Sequence, residues 1–414
     1  MALESPLIAA DIVQWLYTDA VGHQDSLKLI EELAQKLRTG GIAVDRITTA
    51  ISLLHPNVRA ESAIWTSEGE RELRRVQGGE EFDERYANSP LKVVHDTEKP
   101  VRINIPAERE DGEFGITDDL RQQGYTDYIA LPMRFSDSSI KVMTFAMKAP
   151  SGFSAGHIGV FESIMGPLAT VCELYTLQRT AATLLDTYVG PRAGGRVLNG
   201  TVSRGDGEWI SAVVSFADLR GFTKMSNTMP ADMIVKFLNK YFGAMTAGVE
   251  ANGGEVLKFI GDEVMAIFPY ENEEEARDAA KRALMAAVQT IRNIEEINSA
   301  NDCELTPDMS VGIALHAGDV FFGNVGSQTR LDFTVIGPVV NLAARIAELA
   351  KDLDAQILVS DKIADIMGCR QGLFGQYQVK GFDDPVNVYS PSSVSPDSTS
   401  WCPESAALRA LEEN

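Results

Sequence analysis

Cysteine and histidine are scarce in this chain, and neither residue is clustered. Its 414 residues include four cysteines, without a Cys-x-x-Cys pair, and five isolated histidines. A structural zinc site needs several such ligands at short spacing, and a disulfide framework needs a dense set of cysteines. The sequence therefore predicts neither, and it indicates a cytoplasmic protein. The four cysteines are Cys172, Cys303, Cys369 and Cys402.

Long apolar runs and an excess of positive charge are also missing. No stretch approaches the ~18 to 20 apolar residues of a membrane-spanning helix, and the N-terminus lacks a signal-peptide pattern. Lys and Arg number 37 against 59 Asp and Glu, so the formal net charge is −22. This charge argues against nucleic acid and against insertion into or binding to anionic membranes. It is compatible with an anionic small substrate that local cations or metal ions hold.

The length and the order of the apolar patterns indicate several domains, each with its own core. Helical spacing predicts helices over residues 1–20, from Asp25 or Ser26 onward, and over residues 44–54. A short helical piece is expected near Leu91–His95, and another helix starts near residue 155. Strands are predicted over residues 62–66, 101–105, 128–135 and 140–147.

This order resembles a GAF domain, a small α/β sensor module. The segment Gly152-Phe-Ser-Ala-Gly-His-Ile-Gly-Val-Phe161 is similar to that family's turn into its last helix. The resemblance implies a sensor domain over residues 1–165, with a pocket for an unknown small-molecule ligand. The signature of the cyclic-nucleotide-binding members is not evident. The alternative is a filled core that serves only dimerisation.

A linker helix follows the sensor segment. Its apolar residues alternate at spacings of three and four, as in a two-stranded coiled coil. A second register that starts at Val171 is nearly as regular, which suits a helix that signals by changing register. The alternative is an ordinary packed linker helix. The first seam consists of Leu174, Leu177, Ala181, Leu184 and Tyr188.

Two short apolar runs joined by Gly261-Asp-Glu263 predict a β-hairpin with a polar tip. Asp262 lies at this tip, and Asp218 follows an earlier apolar strand, 210–217. Such a pair of carboxylates at two strand ends can hold a divalent metal ion, because Mg²⁺ and Mn²⁺ prefer hard oxygen ligands. A Gly-Asp-Glu turn alone is more often a simple hairpin turn. The second carboxylate, that of Asp218, is what favours a catalytic metal site.

The elements around this hairpin predict an α+β fold. A strand, a helix after Pro230, the hairpin, a helix from Glu273 to Ile297 and a strand over 309–316 follow one another. This is the ferredoxin-like βαββαβ arrangement with additions, which include a strand over 332–336 and a helix over 338–350.

Four motifs in residues 210–390 together resemble the class III nucleotide cyclases. They are Phe216-Ala-Asp-Leu-Arg-Gly-Phe-Thr223, Lys258-Phe-Ile-Gly-Asp262, Phe333-Thr-Val-Ile-Gly337 with Asn341-Leu-Ala-Ala-Arg345, and Val379-Lys-Gly381. The resemblance implies conversion of a nucleoside triphosphate to its 3′,5′-cyclic monophosphate and pyrophosphate. Two Mg²⁺ or Mn²⁺ ions per active site are expected, and they would lower the pKa of the ribose 3′-hydroxyl and neutralise the leaving pyrophosphate.

The resemblance also assigns the individual site residues. Asp218, Asp262 and the Leu219 carbonyl match the metal ligands of the family. Backbone N–H groups of the turn Gly221-Phe222-Thr223 match its phosphate cradle, which is a suitable arrangement for an anion. The remaining matches are Asn341 for ribose orientation, Arg345 for transition-state charge, Lys380 for the triphosphate and Arg330 as an assisting cation.

Lys258 and Thr334 match the two positions that select the purine in this family. A lysine ammonium only donates, so it can face adenine N1, and a threonine hydroxyl can accept from the adenine 6-amino group. Guanine presents donors at N1 and N2, which a lysine cannot satisfy. The resemblance therefore implies ATP as the substrate. Threonine at the second position resembles the bicarbonate-responsive subgroup.

One residue departs from the family pattern. Many members have an acidic residue after the glycine of the third motif, where this chain has Pro338. Proline is accepted in the first turn of a helix, so we expect catalysis to survive.

The resemblance implies a homodimer with two shared active sites. The metal aspartates and the phosphate turn come from one subunit, and the base-selecting and transition-state residues come from the other. Each motif occurs once in the chain, so a twofold pair supplies two complete sets. The segments are then a sensor domain (1–165), a signalling helix and linker (166–207), a catalytic domain (208–390) and a disordered tail (391–414).

Two rival functions stay open. A diguanylate cyclase shares the palm-like fold and an acidic hairpin, but the turn Ile260-Gly-Asp-Glu-Val264 lacks the first glycine and the phenylalanine of that family. A catalytically silent ligand-sensing scaffold is the other. A turnover assay with ATP and Mn²⁺ separates the scaffold from an enzyme.

Overall fold

The structure, a computed structural model, describes residues 5–23, 25–52, 60–76, 80–105, 108, 113–300, 307–370 and 372–391. Two of the cysteines, Cys303 and Cys402, and all but the first residue of the predicted tail lie outside these ranges. The chain divides into two compact units, Met1–Leu184 and Leu185–Asn414. Each unit is described by itself, and the four-segment division stays a prediction.

Within the described residues, the first unit contains a six-stranded antiparallel sheet, six α-helices and a short 3₁₀ helix, Ala20–Gly22. The strands are β1 Arg46–Ser52, β2 Ala60–Thr66, β3 Arg71–Val76, β4 Val101–Asn104, β5 Asp127–Arg134 and β6 Ile140–Met147. The helices are α1 Ser5–Thr18, α2 Ser26–Thr39, α3 Glu80–Ala87, α4 Pro90–Thr97, α5 Gly115–Gln122 and α6 Ala155–Val189. The strand order is β3-β2-β1-β6-β5-β4. The resemblance of this unit to a GAF domain stays a prediction.

The helix expected over residues 44–54 is wrong, because this segment contains strand β1. Ile47, Thr49 and Ile51 are all buried, and they alternate with less buried neighbours. That period of two is the period of a strand, and β-branched side chains favour the extended backbone. The predicted second helix is confirmed as α2, which begins after Asp25, whose carboxylate accepts a hydrogen bond from the Leu27 N–H at 2.9 Å.

Helix α6 is the one element of the described residues that is long and apolar enough, by length and composition, to cross a membrane. A core helix of a soluble protein passes the same test. Here the residues between Val160 and Cys172 include eight that are buried in the core of the first unit. Farther along, Leu174, Leu177 and Tyr188 are exposed. The coiled-coil seam on these residues stays a prediction.

The second unit is built on an eight-stranded sheet. Its strands are β7 Gly207–Leu219, β8 Glu255–Ile260, β9 Glu263–Tyr270, β10 Val311–Gly326, β11 Leu331–Ile336, β12 Ile357–Ser360, β13 Leu373–Tyr377 and β14 Val386–Tyr389. Its helices are α7 Pro191–Leu198, α8 Phe222–Ser226, α9 Ala231–Ala251, α10 Glu273–Ser299, α11 Pro338–Asp352 and α12 Asp361–Met367. The order is β13-β14-β12-β10-β7-β9-β8, with β11 paired to β10. Four antiparallel neighbours, β10-β7-β9-β8, with α9 and α10 as connections, confirm the predicted α+β, ferredoxin-like arrangement.

Strand β7 is buried on both faces, which explains its nearly continuous apolar sequence. Val213 and Ala217 belong to the core that includes side chains of α9 and α10. Val214 and Phe216 belong to the core that includes side chains of α11. The first half-buried residue after this run is Asp218. Packing on both faces thus fixes the strand that carries the candidate metal ligand.

A buried histidine of the same sheet makes the protein sensitive to acid. His316 of β10 shares a hydrogen bond of 2.7 Å between its Nδ1 and the hydroxyl of Ser360. Burial lowers the pKa of His316 to about 4. The unfolded chain takes up this proton near pH 6.5, so below that pH the unfolded state binds more protons and stability falls.

We expect the His316→Gln variant to lose less stability on acidification than the native protein. The native contribution is about 2 kcal/mol between pH 7 and pH 5, because the imidazole stays neutral in the fold while the unfolded chain is protonated. Thermal unfolding midpoints at the two pH values measure the difference. An equal acid shift in both proteins would show that His316 is not the group responsible.

Candidate active site

The hairpin and the end of β7 bring together the two carboxylates predicted from the sequence. Gly261 has φ +66°, a backbone conformation that favours glycine, and it places Asp262 at the tip between β8 and β9. The carboxyl groups of Asp218 and Asp262 lie within hydrogen-bonding reach of each other. A third carboxylate, that of Glu263, belongs to the residue directly opposite Asp218 in the β7–β9 register.

Burial and the negative charge of Asp218 raise the pKa of the two neighbouring carboxyl groups. Burial, followed by the negative charge of Asp218, raises the pKa of Asp262. Burial, with the charges of both aspartates, raises the pKa of Glu263 to about 7. Burial and the same three carboxylates raise the pKa of Tyr241, whose hydroxyl donates to the Ala217 carbonyl at 3.2 Å. The site thus concentrates negative charge where water is partly excluded.

This donor set fits a hard divalent cation. A cation with two positive charges relieves the repulsion between Asp218 and Asp262, and carboxylate oxygens suit Mg²⁺ or Mn²⁺. Among the described residues, no three or more His, Cys, Asp or Glu side chains group as a ready metal cage. Mg²⁺ is often bound by one or two carboxylates together with substrate phosphates, so two aspartates meet its requirement. Leu219, the third predicted ligand, is the last residue of β7.

The sequence did not predict a role for two basic residues next to the pair of aspartates. Lys351 of α11 donates from Nζ to Asp218 Oδ2 at 2.8 Å, and this hydrogen bond raises the pKa of Lys351. Arg220 donates to the Ala355 carbonyl at 2.6 Å and also pairs with Asp354. Both contacts join segments more than 130 residues apart. No local pattern could have indicated them.

The predicted phosphate turn lies directly after β7. Gly221 has φ +73° and precedes the short helix α8, which begins at Phe222. Gly221 and Thr223 are exposed. The turn is therefore exposed directly after the strand that carries Asp218, and its role as a phosphate cradle stays a prediction.

Helix α11 carries the two residues that are predicted to orient the ribose and to stabilise the transition state. Asn341 and Arg345 are one turn apart, so they share a face of the helix. Asn341 is exposed, and Arg345 pairs with Glu348. The helix begins at Pro338, whose place in the first turn agrees with the expectation that this departure is tolerated.

The two predicted base-selecting residues lie on β8 and β11. Lys258 pairs with Asp332, and both side chains are partly exposed. Thr334 stands two residues after Asp332 on β11, so the two share a face of the strand, and it lies opposite Gly323 of β10. The sequence did not predict a role for Asp332. Its spacing of two residues from Thr334 could have indicated that the two share a face of one strand.

The two remaining predicted cations lie in exposed turns. Lys380 precedes Gly381, which has φ +89°. Arg330 closes a turn in which its N–H donates to the Ser327 hydroxyl at 3.0 Å. Within the described part of one chain, neither cation has a direct contact with Asp218 or Asp262. The same holds for Asn341, Arg345 and Lys258.

Comparison with known proteins identifies the second unit. The sequence model of the adenylate and guanylate cyclase catalytic domain family matches residues 209–390. An adenylate cyclase of Anabaena cylindrica is 33% identical over 185 residues, which are 42% of this chain and 36% of that protein. The match thus spans little more than a third of that relative.

Two solved structures share 29% sequence identity with this chain. The adenylyl cyclase CyaB from P. aeruginosa aligns over 44% of this chain and 94% of that chain, with a TM-score of 0.39. The guanylyl cyclase Cya2 aligns over 47% and 98%, with a TM-score of 0.40. Residues 209–390 of the chain thus match the catalytic domain of the class III adenylyl and guanylyl cyclases.

Proposed function

We propose that this chain is an adenylyl cyclase, which converts ATP to 3′,5′-cyclic AMP and pyrophosphate. The observation that carries the proposal is the cationic side chain of Lys258 beside the strand of Thr334. A donor-only ammonium matches the acceptor at adenine N1, and the threonine hydroxyl can accept from the 6-amino group. A guanine would present donors to the same lysine.

The pairing of Lys258 with Asp332 is compatible with this role. The two side chains are 39% and 48% exposed, and an ion pair this exposed contributes at most about 1 kcal/mol. A bound base can therefore compete for the ammonium. In the free protein, Asp332 holds the lysine at the edge of β8, near the face of β11 that carries Thr334.

The chemistry follows from the site residues. The ribose 3′-oxygen attacks the α-phosphorus, its proton leaves, and the bond to the β-phosphate oxygen breaks to release pyrophosphate. Two Mg²⁺ or Mn²⁺ ions, when bound, would lower the pKa of the 3′-hydroxyl and neutralise the leaving group. Asp218 and Asp262 would hold them. Asn341 orients the ribose, and Arg345 stabilises the charge that develops on the α-phosphoryl group.

The remaining parts of the proposal concern assembly and control. The protein acts in the cytoplasm as a homodimer with two shared active sites. In the described residues of one chain, the metal aspartates form no hydrogen bond or ion pair with Arg345 or Lys258, which supports shared sites. The turn 221–223, Lys380 and Arg330 hold the triphosphate. The first unit senses a small molecule and regulates the catalytic domain through α6.

The ratio of kcat/KM for ATP and for GTP tests the proposal. We expect a strong preference for ATP in the native protein. Lys258→Glu should lower ATP turnover about 5- to 150-fold, since a recognition donor worth roughly 1–3 kcal/mol is lost. Lys362→Glu, the same charge reversal at an exposed position of α12, should change nothing. Equal kcat/KM for the two nucleotides in the native protein would refute the assignment.

Guanylyl cyclase activity is the second candidate, and Asp332 is the observation that favours it. Its carboxylate could accept from the guanine N1 and N2 donors. If Asp332 reads guanine, Asp332→Asn will reduce GTP turnover much more than ATP turnover. If Asp332 only holds Lys258, the variant will leave the preference for ATP unchanged.

A further inference from the structure

The contact between Lys351 and Asp218 places an internal cation on a candidate metal ligand. The ammonium nitrogen lies 2.8 Å from Asp218 Oδ2. The Asp218 side chain is 18% exposed, whereas the lysine side chain is 51% exposed. The carboxylate is therefore fixed and mostly buried, and the cation that covers it has a flexible stem with room to move.

The fold delivers this lysine to the site through anchored backbone. Lys351 lies in the last turn of α11. Arg220, two residues after Asp218, donates to the carbonyls of Ala350 at 3.2 Å and Ala355 at 2.6 Å. Ala350 lies in the last turn of α11, where a guanidinium interacts favourably with the negative end of the helix dipole, and Ala355 lies just beyond the helix. The end of α11 is thus tied to the strand end that carries Asp218, independently of the lysine side chain.

The charges around the contact explain why a cation is needed there. Besides burial, three neighbouring carboxylates raise the pKa of Glu263, those of Asp218, Asp262 and Glu348. Four acidic groups therefore lie close together. Lys351 is hydrogen-bonded to Asp218, whose negative charge contributes to the raised pKa of both Asp262 and Glu263. Without a bound metal ion, this ammonium offsets part of their repulsion.

We propose that Lys351 is a built-in counter-cation of the metal site. In the protein without nucleotide and metal, it occupies Asp218 and lowers the affinity of the site for divalent cations. It must leave Asp218 Oδ2 before that oxygen can coordinate a metal ion. The inference rests on the proposed metal site, and it assigns to Lys351 a positioning role that sets the concentration at which metal binds.

Calorimetric titration of the full chain with MnCl₂, without nucleotide, tests this role. Lys351→Met removes the charge and keeps a long, flexible side chain, so we expect its Kd for Mn²⁺ to be about three- to fivefold lower than that of the native protein, the range of a partly exposed ion pair. Lys351→Arg keeps the charge and should stay close to the native Kd. Lys362→Met removes an exposed lysine from α12 and should not change the Kd.

Thermal unfolding in EDTA gives a second, independent readout. Lys351→Met should unfold at a lower temperature than the native protein, because the carboxylates lose their counter-cation, and Mn²⁺ should raise its Tm more than the native Tm. An unchanged or higher Kd for Lys351→Met overturns the role of the lysine, and if the native protein still turns over nucleotide, the proposed function stands. If neither protein binds Mn²⁺ without nucleotide, this inference is overturned, and turnover by the Asp262→Asn variant tests the metal site separately.

Discussion

Asp262→Asn is expected to abolish cyclisation while leaving the fold intact. The change removes a charge with little change in shape, and Asp262 is half-buried beside Asp218. Loss of one carboxylate removes half of the charged metal ligands. Removal of a residue that only hydrogen-bonds to a metal ligand already lowers metal affinity or activity about 10- to 100-fold. We therefore expect a loss of more than about 100-fold in the rate of cyclic nucleotide formation at saturating Mg²⁺.

The Tm separates loss of chemistry from loss of folding. Because the asparagine relieves repulsion with Asp218 and Glu263, the metal-free variant should unfold at the native temperature or above it. Asp278→Asn is the matched control, since this exposed aspartate lies on α10 and pairs only with Arg282 in the described contacts. It should keep native activity. Near-normal turnover by Asp262→Asn at saturating Mg²⁺ would rule out the two-metal mechanism.

Mixing two inactive variants is expected to restore activity if the active sites are shared. Asp262→Ala damages the metal half of a site, and Arg345→Ala damages the transition-state half. A heterodimer of the two has one intact site and one doubly damaged site. With free exchange at equal amounts, half of the dimers are mixed and each keeps one site of two, so recovered activity approaches about a quarter of the native level.

Co-expression followed by measurement of the cyclic nucleotide provides the test. The matched control mixes Asp262→Ala with Asp218→Ala, which damage the same half. Every site in that heterodimer lacks a metal carboxylate, so no recovery is expected. If the first mixture is shown to contain heterodimers and still has no activity, each active site must be built within one chain.

The features that the sequence predicted well are those with local signals. Strand β7 is an apolar run, the hairpin has Gly261 at its turn, and α11 begins with Pro338 and holds its polar residues at helical spacing. The helix prediction for residues 44–54 was wrong, because the apolar residues of so short a run fit a helical pattern and a strand pattern about equally. Burial of Ile47 and Ile51 against the helices of the first unit decided the outcome.

The parts of the site that could not be predicted depend on contacts between distant segments. Lys351 and Asp218 are 133 residues apart, and Lys258 and Asp332 are 74 apart. Each pair forms only because the tertiary fold brings together elements that are distant in the chain. The raised pKa of Glu263 has the same origin, since it depends on burial and on Asp218 of the neighbouring strand.

The sheet order gives the two metal aspartates unequal mechanical support. Strand β7 lies between β10 and β9, whereas β8 is the last strand of the order and pairs with β9. Central strands open only with the whole domain, and edge elements open at lower free energy. Asp218 is therefore anchored in the least mobile strand, and the hairpin tip with Asp262 is the part that can adjust. A change in the distance between the carboxylates, on exchange of one metal for another, will be taken up by the hairpin.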